Sequence, residues 1–138
     1  MAYSFRFRGW DAVGCKGWVY GDLVHNMKVT KKGLEPRVMV GGYEVFPDSV
    51  GIGSGILDAG GNEIFVGDII RIYDSEYDSF SDCEVILKYG VIGVCSSFDI
   101  LTTLSFFFSF RNGAQVKNED NEYTVNIVGN SFINSLKY

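Results

Sequence analysis

Apolar and polar residues alternate with a period of two along several stretches of this chain. Tyr3, Phe5 and Phe7 fall on one side of the alternation and Ser4, Arg6 and Arg8 on the other. Val85, Leu87 and Tyr89 alternate in the same way with Glu84, Ile86 and Lys88, and Tyr123, Val125 and Ile127 with Glu122, Thr124 and Asn126. A period of two is the mark of a half-buried strand. Turn chemistry separates these runs. Asp58-Ala59-Gly60-Gly61-Asn62 supplies positive φ at little steric cost and should reverse the chain. Tyr89-Gly90 reads as a turn, and Arg111-Asn112-Gly113 as a hairpin. Gly67-Asp68 leads into Ile69-Ile70-Arg71-Ile72-Tyr73, a strand entered through a tight turn whose Asp68 carboxylate can accept backbone N–H groups. Phe98, Leu101, Leu104 and Phe108 lie at helical spacing behind a possible Ser97 cap, but Thr102, Thr103 and three consecutive phenylalanines suit a strand equally well. Pro36 and Pro47 read as loop residues. The pattern predicts a single all-β domain over residues 1–138. It should be a compact, partly closed β-barrel of about seven to nine strands with at most one or two short helices.

Composition supports this. The chain has 138 residues, of which 46% are apolar, with 17 glycines, 8 tyrosines and 11 phenylalanines. That is enough for one core without covalent staples. The 12 basic and 17 acidic residues leave a net charge of −5, which argues against general binding to a phosphate backbone. A single histidine, His25, leaves no pair for a metal or a proton shuttle. Cys15, Cys83 and Cys95 are odd in number and lack metal-ligand spacing, so they read as reduced, mostly buried thiols of a cytosolic protein. The first eight residues hold no apolar signal core. The apolar stretch from Val85 to Phe110 is broken by Lys88 and Asp99, short of the ~18 uncharged residues of a membrane helix. The expectation is a soluble, cytoplasmic chain with no membrane partner.

Candidate chemistry is sparse. Asp74-Ser75-Glu76-Tyr77-Asp78-Ser79-Phe80-Ser81-Asp82-Cys83-Glu84 is the most charged stretch. As a calcium loop starting at Asp74 it fails, because Ser79 stands where Gly is needed and Val85 where the bidentate Glu is needed. It reads first as a solvated loop, then as an acidic interaction surface. Gly51-Ile52-Gly53-Ser54-Gly55 has no following Gly-Lys-Ser/Thr and is no phosphate loop; such glycines let a strand bend or a second backbone approach. Trp10-Asp11 and Trp18-Val19-Tyr20-Gly21-Asp22 are dense in aromatics that either pack or stack on a ligand. No catalytic, metal or cofactor motif is present. The candidate binding residues are Trp10, Asp11, Trp18, Tyr20, Asp22, Asp68, Asp74, Glu76, Asp78 and Asp82.

Several blocks carry a resemblance. Phe5-Arg6-Phe7-Arg8-Gly9-Trp10-Asp11 is similar to the opening F-R-A-W-D of the YopX family, and Trp18 to Leu23 to its W-V-Y-G-D-L. Tyr43-Glu44-Val45 with Pro47 to Gly51 resembles Y-E-V-x-P-x-T-V-G. Leu57-Asp58 and Gly61 to Ile70 resemble L-x-D-x-N-G-x-E-I-Y-E-G-D-I-V. Asn126 to Asn130 resembles the closing V-I-G-N. The blocks span about 5–24, 43–73 and 125–137, in order, roughly half the chain. Ile52, Gly53 and Ser54 replace the family's Gln-Tyr-Thr, and Val66 replaces an acidic residue before Gly-Asp. Residues 74–122 match nothing.

The resemblance implies a small, largely β protein of a bacteriophage or prophage, with no established activity. Its Gly-Asp and Trp-Asp elements read as turn and core devices. Three functions remain open. The first is an accessory protein that binds a host or phage protein, with exposed sheet edges that invite a homo-oligomer. The second is an acidic mimic that fills a nucleic-acid enzyme's basic groove, using Asp74, Glu76, Asp78, Asp82 and Glu84. The third is an enzyme assembled from Asp11, Asp22, Asp68 and Tyr20.

Overall fold

A computed structural model describes residues 6–14, 16–95, 100–112, 114–116 and 122–136. Cys15, Tyr3, Phe5, Ser97 and Phe98 lie outside the described residues. Fifteen strands and one short α-helix are present among those described, so the class is all-β. The chain divides into two compact units, residues 1–53 and 54–138. The first holds seven Lys/Arg against five Asp/Glu, a balance of +2, and the second five against twelve, a balance of −7.

In the first unit β1 (Phe7–Trp10) pairs antiparallel with β2 (Trp18–Gly21), Trp10 opposite Trp18. β3 (Leu23–Thr30) and β4 (Gly33–Val40) form a hairpin of eight residues a side in regular register, and β5 (Tyr43–Val45) joins β4 only at its base. A 3-10 turn at Pro47–Ser49 follows, and β6 (Gly51–Leu57) begins beside β1, Phe7 opposite Ile52. Val19, Val40 and Val45 form a small core, against which Phe7, Leu23, Val38 and Val50 pack. Two glycines make that packing possible. A Cβ on Gly9 would lie 2.7 Å from Val45, and one on Gly41, at φ +59°, would collide with the Tyr20 carbonyl.

β6 carries the chain into the second unit and lies next to β7 (Glu63–Phe65). β8 (Asp68–Asp74) is the centre of a three-stranded sheet, flanked by β9 (Ser79–Glu84) and β15 (Tyr123–Asn130). β10 (Ile86–Lys88), β11 (Val91–Cys95) and β12 (Leu101–Thr103) form a second sheet. β13 (Phe110–Arg111) and β14 (Ala114–Gln115) make a short hairpin, and α1 (Ser131–Ser135) ends the described chain. The core here is larger: Ile64, Ile70, Ile72, Val85, Val94, Leu104, Phe108 and Val125.

The turn signals hold. Asp58 Oδ1 accepts from the N–H groups of Gly60 and Asn62, closing the β6–β7 turn. Tyr89 and Gly90 both take positive φ between β10 and β11, and Asn112 does so between β13 and β14. Gly67-Asp68 opens β8 as expected. The sheets are separate and none closes into a barrel. Short strands interrupted by turns leave each sheet only two to four strands wide, too narrow to curl on itself.

Three local expectations are corrected. Of the stretch 98–108, the described residues 100–108 are neither a helix nor a strand throughout: β12 gives way to a 3-10 turn at Leu104–Phe107, because Thr102 and Thr103 favour extension and Leu104 turns inward. Of the run from Val85 to Tyr89, Val85 is buried while Leu87 and Tyr89 are exposed, since the strand is brief and Tyr89 already belongs to the turn. Pro36 sits in β4 opposite Met27, not in a loop. β5 reaches only as far as Val38, so among the described residues the outward side of Pro36 has no ladder partner and needs no donor.

Candidate functional site

Trp10, Trp18 and Tyr20 share one face of the β1–β2 pair, as cross-strand register requires. The two indoles meet edge to face with centroids 5.1 Å apart. Arg8 lies 4.0 Å over Trp18 and Arg6 4.7 Å over Tyr20. Guanidinium groups thus already lie over the rings of Trp18 and Tyr20. Asp11 closes its own loop: Oδ1 accepts from Val13 and Gly14 N–H and Oδ2 from Lys16 N–H. Those bonds, Gly14 foremost and then Val13, hold its carboxyl below the ordinary carboxylate value. Asp22 is exposed at the start of β3, with its carbonyl accepting from Gly41 N–H.

Asp68 is almost fully buried, 1% exposed. Its Oδ2 accepts from Phe65 N–H at 2.8 Å and its Oδ1 from Asn130 Nδ2 at 3.4 Å. Asn130 in turn caps α1, accepting from Phe132 and Ile133 N–H. Ser131 N–H donates to the Gly67 carbonyl. Gly67-Asp68 and Gly129-Asn130, far apart in the chain, are one clamp between β8 and α1.

The acidic stretch forms the β8–β9 hairpin and its turn. Arg71 holds Asp82 in a bidentate pair at 2.8 and 3.0 Å, which lowers the Asp82 pKa and raises that of Arg71. Tyr73 donates to Asp78 at 2.6 Å, and that bond raises the Tyr73 pKa. Asp74 accepts from Glu76 N–H. Three of the carboxylates therefore serve the hairpin itself, and Glu76 is exposed at its turn. No group of three or more metal-ligating side chains occurs among the described residues. Asp11 and Asp68 are each bound into their own turn, and neither lines either of the two clefts described below.

Two clefts stand out. One, of about 570 Å³, lies in the second unit on the core-facing side of β8–β9, lined by Ile72, Asp74, Ser81, Cys83, Val94, Cys95, Phe107 and Tyr123 among others. Phe107 and Tyr123 meet edge to face at 5.3 Å in its wall. Cys83 and Cys95 are free thiols, half-buried rather than buried. Asp82 at its margin is tied to Arg71, and Asp74 caps its own turn, so neither is positioned as a general base.

The other is on the β3–β4 hairpin, about 400 Å³, lined by His25, Asn26, Met27, Pro36, Arg37, Val38 and Pro47. Register places His25, Met27, Pro36 and Val38 of this lining on one face, with Asn26 and Arg37 at the alternate positions. The pairs Leu23–Val40, His25–Val38, Met27–Pro36 and Val29–Leu34 share one face, which is apolar but for His25. Of the alternate pairs, Asn26–Arg37 and Lys28–Glu35 make the outer part of the other face polar, while Val24–Met39 is apolar. There Arg37 Nε donates to Asn26 at 2.7 Å and Lys28 to Glu44 at 2.8 Å. The base of the apolar face packs in the core through Leu23, Val38 and Val40. Its outer end does not: Met27 is 52% exposed, Leu34 67% and Val29 83%. This face was missed in the sequence. Its signal was the alternation Leu23, His25, Met27, Val29 mirrored by Leu34, Pro36, Val38, Val40 about Lys31-Lys32, hidden by reading Pro36 as a loop.

No family model matches the chain, and no curated protein does. Among solved structures the chain is similar to the crystal structure of protein YopX from Bacillus subtilis, at 18% identity over 94% of each chain and with a TM-score of 0.49. No helix among the described residues is long and apolar enough to cross a membrane.

Proposed function

We propose that this chain is a non-enzymatic accessory protein of a bacteriophage or prophage, acting in the bacterial cytoplasm by binding protein through the outer apolar face of its β3–β4 hairpin. The YopX-like sequence blocks support the phage setting. The exposed outer end of that face carries the binding reading. Three large apolar side chains, Met27, Val29 and Leu34, project side by side from a strand pair. Contiguous exposed apolar surface on a folded protein marks interaction sites. The acidic-mimic reading has less to draw on, because Asp74, Asp78 and Asp82 are engaged within their own hairpin.

The test is capture from a nuclease-treated bacterial lysate, with wild type and the Val29→Lys/Leu34→Lys variant side by side. Both positions are exposed, so circular dichroism should show the variant folded. A near-stoichiometric protein held by wild type and released by the variant supports the proposal. Equal capture by both, or by neither, overturns it.

A further inference from the structure

The inward face of the β15–β8–β9 sheet is filled on two strands and hollow on the third. Register sets three rows across it: Tyr123, Asp74 and Ser79; Val125, Ile72 and Ser81; Ile127, Ile70 and Cys83. On β15 and β8 the large side chains of Val125, Ile70 and Ile72 are buried. β9 brings only two serines and a cysteine to the same rows, and Ser79 and Ser81 stay exposed. The 570 Å³ cleft lies along those short side chains, with Val94 and Phe107 also in its wall. Its volume is in the range of small-molecule sites, about 300–1,000 Å³.

The lining is amphipathic and carries charge of one sign. Ile72, Val94 and the edge-to-face pair of Phe107 and Tyr123 supply apolar and aromatic surface. Among the described residues it includes two carboxylates, Asp74 and Asp82, and no Lys, Arg or His. The charge of Asp82 is met by the bidentate Arg71. That of Asp74 is not: its Oδ1 accepts from Glu76 N–H, and its Oδ2 has no hydrogen-bond partner among the described residues. Asp74 is half-buried and stands beside Tyr123 in the first row. A half-buried carboxylate next to an aromatic ring favours a cation twice, through its own charge and through the negative face of the ring. The −7 balance of this unit acts in the same direction.

We propose that this cleft is a binding site for a small organic cation, one with a flat aromatic body and a single ammonium-type group. The body lies against Ile72, Val94 and Phe107 in the space left by the short side chains of β9, and the cationic group pairs with Asp74 beside Tyr123. The site lies in the second unit and is independent of the β3–β4 face.

The experiment is titration of the full chain with three naphthalene derivatives of similar shape, followed by amide NMR shifts. Naphthylmethylamine is cationic at neutral pH, naphthylmethanol neutral and naphthoate anionic. The amine should bind saturably and shift the amides of Ser81, Cys83 and Val94. The alcohol should bind the same site about tenfold more weakly, the difference made by one hydrogen bond to a charged group, and naphthoate more weakly still. Asp74→Asn keeps an acceptor for Glu76 N–H and should bring the amine down to the affinity of the alcohol, with the alcohol unchanged. Ser81→Leu, at an exposed position of β9, should fill the cleft and abolish binding of both. Equal binding of all three by wild type, no saturable shift up to the solubility of the amine, shifts that map away from the cleft, an amine preference that survives Asp74→Asn, or a folded Ser81→Leu that still binds overturns the inference. Should Ser81→Leu fail to fold, the amine-to-alcohol ratio in Asp74→Asn still decides.

Discussion

The hairpins β3–β4 and β8–β9 begin with the same local chemistry, alternate apolar residues on paired antiparallel strands, and end in opposite environments. In β8, Ile70 and Ile72 are buried, because β15 flanks the strand and Ile64, Val85, Val94, Leu104 and Phe108 cover that face. In β3, Met27 and Val29 occupy the equivalent alternate positions and are exposed, because β5 ends at the level of Val38 and the small valine core lies only at the base. The electrostatics diverge as well. The β3–β4 turn is basic, Lys31-Lys32, and the β8–β9 turn acidic. Alternation specifies which face is apolar. Whether that face is core or interface depends on what lies across from it.

The largest expected contrast is between buried and exposed positions of the two hairpins. Ile70, fully buried, should cost about 2–5 kcal/mol as Ile70→Ala. Val29→Ala, at a site 83% exposed, should stay within about 0.5 kcal/mol in urea unfolding. Similar losses at both sites would break the comparison.

Next comes the anchoring of β8. Asp68→Ala leaves the Phe65 N–H and the Asn130 amide without their buried acceptor and should cost about 1–3 kcal/mol. Hydrogen exchange should quicken first at Phe132 and Ile133, whose N–H groups depend on Asn130. Unchanged protection there would separate α1 from the clamp.

A smaller effect is expected at the base of the β3–β4 arm. The loop closed by Asp11 donates from Ala12 N–H to the Glu44 carbonyl of β5. Because the Asp11 pKa is lowered on folding, its ionised form contributes stability above the ordinary carboxylate value, and that contribution is lost as pH falls through the lowered folded value. Asp11→Asn should show less acid-induced loosening of the Val13 and Gly14 amides than wild type, read by amide chemical shifts during acidification. Parallel titration of the two proteins would remove Asp11 from that role.

The smallest contrast is between the two ion pairs. Lys28–Glu44 lies on the polar face of the arm with side chains 33% and 21% exposed, and Arg71–Asp82 is more open. Lys28→Ala should cost at most about 1 kcal/mol, reduced by salt, whereas Asp82→Ala should leave the urea midpoint unmoved. A larger shift for Asp82→Ala would mean that the acidic hairpin depends on its charge network.

Much of the fold was legible because it rests on short-range chemistry. Asp58 to Asn62 turns around the Asp58 carboxylate, Tyr89-Gly90 and Asn112 turn through positive φ, and Tyr123, Val125 and Ile127 alternate as a strand with one buried face. Aspartates read as turn devices act as such, Asp68 and Asp11 being the clearest. The β3–β4 arm was not legible, because a proline inside a strand is acceptable only where no third strand pairs with it, and that depends on where β5 stops.

The sequence alone determined the all-β class, the turn positions and the carboxylates that hold them, since these follow from φ preferences and from hydrogen bonds spanning a few residues. Only the tertiary structure decided that the strands form several narrow sheets rather than a barrel, that Gly67-Asp68 meets Asn130, and that one apolar hairpin face is covered while the other is left open. Those outcomes depend on which surfaces meet across long stretches of chain, and burial is a property of the pair that meets, not of either strand by itself.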